Sequence, residues 1–143
     1  MKVLVLNGPN LGRLDIRDSS IYGDMSYADL VAHIHSAAKT HGFVADVRQS
    51  NDESEIIGWL HEAADTNTPV IINPAAFTHY SYAIRDAAEM VTAPVIEVHL
   101  SNPLSREEFR HTSVISGVAN GTIGGFGPNS YVLALIALKA LVA

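Results

Sequence analysis

Short apolar runs alternate with longer segments of helical period along this chain. Lys2–Leu6 and Val70–Asn73 are short apolar runs that read as strands, Val70–Asn73 ending in a polar residue, and Val95–His99 reads as another strand, ending at a histidine. Phe43–Gln49 has an alternating character and reads as a further strand. Gly121–Gly127 (GTIGGFG) reads as a fifth strand broken by glycine. Between the first two, Leu30, Val31, Ile34, Ala37 and Ala38 recur at helical spacing. Ser26 caps that helix, with Asp29 three residues on, and Gly42 stops it. Glu53–Thr66 carries Ile56, Ile57, Leu60, Ala63 and Ala64 on one helical face, and Ser81–Val91 forms the next helix. A turn of helix is expected around Glu107–Arg110, and the apolar Tyr131–Val142 reads as a closing, buried helix. Asn7–Asp24 fits neither period and is expected to be a long polar loop.

Strands and helices alternating at this spacing require crossover connections and hence a parallel sheet covered on both faces. The expected architecture is one α/β domain over residues 1–143, a flavodoxin-like, three-layer, doubly wound fold with a five-stranded parallel sheet. Ligands of such sheets bind beyond the carboxyl ends of the strands. That rule selects the loops after Leu6, Gln49, Asn73, His99 and Gly125.

Composition narrows the chemistry. About half of the residues, 48%, are hydrophobic and 17% are charged, which is enough for a real core and excludes a disordered chain. The formal net charge of −6 argues against a nucleic-acid partner and against long-range attraction of an anion, so an anionic ligand needs a local cluster of cations. The absence of cysteine excludes disulfides, thiol nucleophiles and thiolate metal sites, and fits a reducing, cytoplasmic location. No apolar stretch reaches the ~20 residues of a membrane span, and the N-terminus lacks the apolar region of a signal peptide.

The polar residues crowd into the selected loops. Asn7, Asn10, Arg13, Arg17 and Tyr22 follow the first strand. Asn73, Thr78 and His79 follow the third. Glu97, His99, Ser101, Asn102, Arg106 and Arg110 end or follow the fourth. Amides and hydroxyls suit a polyhydroxylated ligand, and arginine suits a carboxylate or phosphate. Each residue has an ordinary alternative. His99 reads equally as a satisfied buried histidine, Tyr22 as an exposed loop tyrosine, Asn7 and Asn10 as turn formers beside Gly8 and Pro9, and Arg106 with Glu107 and Glu108 as a solvated helix face. GGFG lacks the strand–GxGxxG–helix order of a dinucleotide site, and His79, Glu97 and His99 lack a metal-site spacing.

Five segments together resemble the type II dehydroquinases: NGPNLGRLDIRDSSIYG (7–23), INPAAFTHYSYAIRDA (72–87), IEVHLSN (96–102), REEFRHTS (106–113) and GPNSYVLAL (127–135). The resemblance implies dehydration of 3-dehydroquinate to 3-dehydroshikimate by anti elimination, in the shikimate pathway, without metal or cofactor. It implies a dodecamer of four trimers. It places the base at Tyr22, the enolate stabiliser at Asn10 and the general acid at His99. It puts substrate contacts at Asn73, His79 and Arg110, and the carboxylate on the amides of Leu100 and Ser101. Asp86 is implied as a contribution from a neighbouring subunit. Arg17 lies five residues before Tyr22 on the same loop, and a guanidinium beside a phenol favours the phenolate. Glu97, two residues before His99, points the same way along a strand and is expected to orient it. The loop from about Leu14 to Asp24 is expected to act as a lid.

Overall fold

The computed structural model describes residues 1–143. Its sheet has five parallel strands: β1 (Lys2–Asn7), β2 (Val44–Gln49), β3 (Val70–Asn73), β4 (Val95–His99) and β5 (Gly121–Gly124). They lie in the order β2-β1-β3-β4-β5. The helices are α1 (Ser19–Tyr22), α2 (Tyr27–Thr40), α3 (Glu53–Thr66), α4 (Tyr82–Glu89) and α5 (Asn129–Val142), joined by short 3₁₀ turns. This is the expected flavodoxin-like domain.

Side-chain alternation along the strands builds two cores. Val3 and Val5 of β1 join Ile71, Ile96 and Val98 under α2 and α5, with Leu30, Ile34, Tyr131 and Leu135 among the helical contributors. Leu4 and Leu6 point the other way and join Val70, Ile72 and Val95 under α3 and α4, with Ile56, Leu60 and Ile84. A strand buried on both faces has to be apolar at every position, and β3 is buried throughout. Side-chain caps start the helices where the sequence expects them. Ser26 Oγ accepts from the Asp29 amide at 3.1 Å, Asp52 caps α3, and Ser81 Oγ accepts from the Ile84 amide at 3.1 Å.

Three expectations need correction. Asn7–Asp24 is not an irregular loop: Leu11–Ile16 forms a 3₁₀ turn and Ser19–Tyr22 forms α1, capped by Asp18. Leu11, Leu14 and Tyr22 dock into the α2/α5 core, and this long-range burial, rather than local period, shapes the segment. The fifth strand ends at Gly124, because Gly125 and Gly127 take positive φ values of 94° and 59° that leave the ladder. Helix α5 is buried on one side only. Tyr131, Ala134, Leu135 and Leu138 face the sheet, while Leu133, Ile136 and Leu141 stay 39%, 48% and 49% exposed. A sheet can cover only one face of a helix, so an all-round apolar α5 leaves a second apolar face open in a single chain.

Candidate active site

In the strand order 2-1-3-4-5 the connections from β1 and β3 leave the sheet in opposite directions, and a crevice opens between them. The cleft at this point is lined by Asn10, Arg17 and Tyr22 after β1, by Asn73 and His79 after β3, and by His99, Leu100, Ser101, Arg106 and Arg110 after β4. Of the eleven residues singled out from sequence as catalytic or substrate-binding, ten gather here: Asn10, Arg17, Tyr22, Asn73, His79, His99, Leu100, Ser101 and Arg110 line this cleft, and Glu97 lies directly behind it. Asp86 does not: it is exposed on α4 and does not line the cleft of its own chain.

The close approach of the first and third loops depends on Gly8. A Cβ there would stand 2.5 Å from the Pro74 carbonyl oxygen, and the Gly8 amide donates to the Asn73 carbonyl at 2.8 Å. Asn10 has a left-handed backbone (φ 70°), a conformation asparagine tolerates, and its amide donates to Asn51 Oδ1 at 3.0 Å. Asn73 is held from below. Its Nδ2 donates to the Tyr131 hydroxyl at 3.0 Å, the Tyr131 hydroxyl donates to Asn7 Oδ1 at 2.6 Å, and Asn73 Oδ1 accepts from the Ala75 amide at 3.1 Å. Burial pushes the Tyr131 phenol up, so it stays protonated and can serve as this link.

Tyr22 is buried at the edge of the α2/α5 core, with its hydroxyl bonded by Arg17 Nη2. The Arg17 guanidinium carbon lies 3.8 Å from the ring centroid and that of Arg106 lies 4.9 Å away. Two cations thus lie beside one phenol ring. Burial lowers Arg17 below its ordinary value, and the neighbouring Arg106 and Arg110 charges push the same way against the Tyr22 contact. Arg106 had an equally good reading as a solvated helix residue. The structure folds it back over Tyr22, with Nη1 donating to Ser101 Oγ at 3.2 Å. Nothing local in REEFR separates those two readings.

The opposite wall carries two imidazoles in different settings. His79 Nδ1 lies 2.8 Å from the Thr112 carbonyl, which can only accept, so Nδ1 carries the hydrogen and Nε2 is left for a ligand. Burial lowers the His79 value, so this ring is neutral. His99 Nε2 lies 2.5 Å from Glu97 Oε2, and that carboxylate is 1% exposed. Burial works against ionised Glu97. The His99 contact and the Ser116 and Ser113 hydroxyls outweigh it and hold the carboxyl below its ordinary range. The two serines were not singled out as site residues, although Ser113 and Ser116 recur three residues apart just after the REEFRH segment.

A phenol beside two guanidiniums and a carboxylate-backed imidazole line one cleft at the switch point of a flavodoxin-like sheet, a set of groups able to exchange protons with a small bound molecule. The sequence profile described as dehydroquinase class II matches residues 1–139. The chain is 53% identical over 140 residues to a 3-dehydroquinate dehydratase of Salinispora tropica, covering 98% of each. It is 53% identical over 136 residues to one from Halalkalibacterium halodurans, covering 95% of this chain and 94% of the other. The crystal structure of type II dehydroquinase from Propionibacterium acnes superposes with a TM-score of 0.95 at 50% identity, covering 97% of this chain and 96% of that one. A 3-dehydroquinate dehydratase-like protein from Bifidobacterium longum aligns with a TM-score of 0.76 at 43% identity, covering 99% of this chain and 98% of that one. The chain belongs to the class II dehydroquinase family.

Proposed function

We propose that the protein is a 3-dehydroquinate dehydratase, a lyase of the shikimate pathway, that forms 3-dehydroshikimate by anti elimination through an enolate. The observation that carries this reading is the opposition of the Arg17–Tyr22 pair and the Glu97–His99 pair across one cleft. The Tyr22 phenolate takes the proton next to the ketone, and the C–H electrons pass to the ketone oxygen. Asn10 steadies the resulting enolate, through a bound water. As the enolate collapses to the enone, the bond to the β-hydroxyl breaks, and His99 gives that oxygen the proton that makes it water. Arg17, Arg106 and Arg110 supply the local positive charge that an acidic chain needs in order to hold a carboxylate substrate. In this reading the Leu100 and Ser101 amides take the substrate carboxylate, and Asn73, His79 and Arg110 take ring hydroxyls. Every proton has a protein donor or acceptor, so no step calls for a metal or cofactor.

Lid closure over the 14–24 segment would bring Arg17 and Tyr22 to the substrate together. The exposed face of α5 and the position of Asp86 support a homo-oligomer in which Asp86 serves a neighbouring site, and a dodecamer of trimers is the proposed assembly. No helix is long and apolar enough to cross a membrane, and we place the enzyme in the cytoplasm. The purified protein mixed with 3-dehydroquinate should produce enone absorbance in the ultraviolet, unchanged by a chelator. No absorbance change would reject the reading, and light scattering would test the assembly.

A further inference from the structure

Glu97 sits among hydrogen-bond donors. Its Oε1 lies 2.8 Å from Ser113 Oγ and 2.7 Å from Ser116 Oγ. Its Oε2 lies 2.5 Å from His99 Nε2 and 3.1 Å from Ser113 Oγ. A serine hydroxyl has one proton and two lone pairs. The Ser113 oxygen accepts from the Ile115 amide at 3.1 Å and the Ser116 amide at 2.9 Å, so only its proton remains for Glu97. The Ser116 oxygen accepts from the Thr122 hydroxyl at 3.0 Å, which leaves its proton and one lone pair, and the 2.7 Å contact with Oε1 takes the proton while Glu97 is ionised. A carboxyl proton on Oε1 would meet the committed proton of Ser113 and would require Ser116 to turn its own away. The backbone turn at Ser113–Ser116 thus favours the ionised state of a carboxylate on β4.

The consequence reaches the cleft through His99. Its ionisable and charged surroundings are His79 from the turn after β3, Arg17 and Tyr22 from the segment after β1, and Arg106, Arg110 and His111 from the segment after β4. Three guanidiniums share the cleft with this imidazole, and Glu97 is the carboxylate in contact with it.

We infer that Ser113 and Ser116 are positioning residues for the reaction: as donors, obligate in the case of Ser113, they keep Glu97 an acceptor, and so keep the shared proton on His99 Nε2 and the ring poised as an acid. This inference rests on the proposed role of His99.

The test compares kcat and KM of the parent, Ser116→Ala and His99→Ala, with ¹⁵N NMR of the His99 ring. Ser116→Ala leaves the Ser113 cap in place. It should lower kcat about tenfold with KM within about twofold, the loss expected for one hydrogen bond to a charged acceptor. The His99 nitrogens should move toward the neutral pattern at a pH where the parent ring is charged. A kcat within about twofold of the parent overturns the inference. So does a lower kcat with unchanged His99 signals, which marks a merely structural role. The proposed function fails differently: the parent would not dehydrate 3-dehydroquinate, or His99→Ala would keep the parent's kcat, whereas the NMR shift would still report the serine–carboxylate–imidazole coupling.

Discussion

Replacing Glu97 by glutamine keeps the volume of a buried side chain and removes its charge. The carboxylate now receives three partners, His99, Ser113 and Ser116, and all of them donate. Glutamine offers one acceptor oxygen and one NH₂ group. If the NH₂ faces the serines, the Ser113 proton is stranded, because both lone pairs of that oxygen are occupied, and Ser116 has to turn its own proton away in order to accept. If it faces His99, the ring can accept from it only after giving up the hydrogen on Nε2. The second arrangement strands nothing, so the amide oxygen should stay on the serines and His99 should become neutral. The charged hydrogen bond that is lost is worth about 1.5–3 kcal/mol. At 1.36 kcal/mol per decade, kcat should fall roughly 10- to 150-fold. KM should change little, because Glu97 stands behind His99 and lines an adjoining cavity, not the cleft of Asn10, Tyr22 and Asn73. Initial rates of enone formation at saturating substrate measure the loss, and thermal unfolding confirms that the variant is folded. A folded Glu97→Gln enzyme with kcat within about twofold of the parent would refute the proposed coupling of this carboxylate to proton donation.

Tyr22→Phe should lower kcat by about 10²–10⁴, the usual worth of a general base, while calorimetry still detects substrate binding; near-parental turnover would remove Tyr22 from the mechanism. Tyr131→Phe strands Asn7 Oδ1 and Asn73 Nδ2 together and should cost roughly 2–4 kcal/mol in urea unfolding, with a cost under about 1 kcal/mol counting against the network. Gly8→Ala forces the 2.5 Å contact with the Pro74 carbonyl apart and should destabilise the protein by about 1–3 kcal/mol, so an unchanged unfolding midpoint contradicts the close approach. The folded protein holds Glu97 below its ordinary value of 4.5, so the stability it adds should be complete above that pH and lost as pH falls through the lower folded value. The stability gap between parent and Glu97→Gln should therefore shrink in acid, and a gap that widens there would reverse the sign of this argument.

Position in the cleft was legible from the sequence where a polar group is attached to a strand end. His99 and Asn73 close β4 and β3, and a parallel sheet delivers both to the same edge whatever the loops do. Arg106 was less legible. Its flanking glutamates fit a solvated surface, and only the return of the segment over Tyr22 turns its charge inward. Ser113 and Ser116 carry no signal as small polar residues in a connection; their significance appears once Thr122 and Glu97 are brought to them from other strands. The 7–24 segment misled for a related reason: its short helical turns have no amphipathic period of their own and are held by docking Leu11, Leu14 and Tyr22 into the core.

Periodicity alone determined the order of strands and helices, since period-two and period-3.6 burial are local consequences of backbone geometry. That order in turn required a parallel sheet and put the polar loops at its carboxyl edge. Tertiary structure alone decided which way those loops fold over one another: that two guanidiniums converge on one phenol, that a neutral His79 faces a carboxylate-backed His99, and that α5 keeps an uncovered apolar face. Charge state, tautomer and contact depend on partners far apart in the chain, and burial of one element against another supplies them.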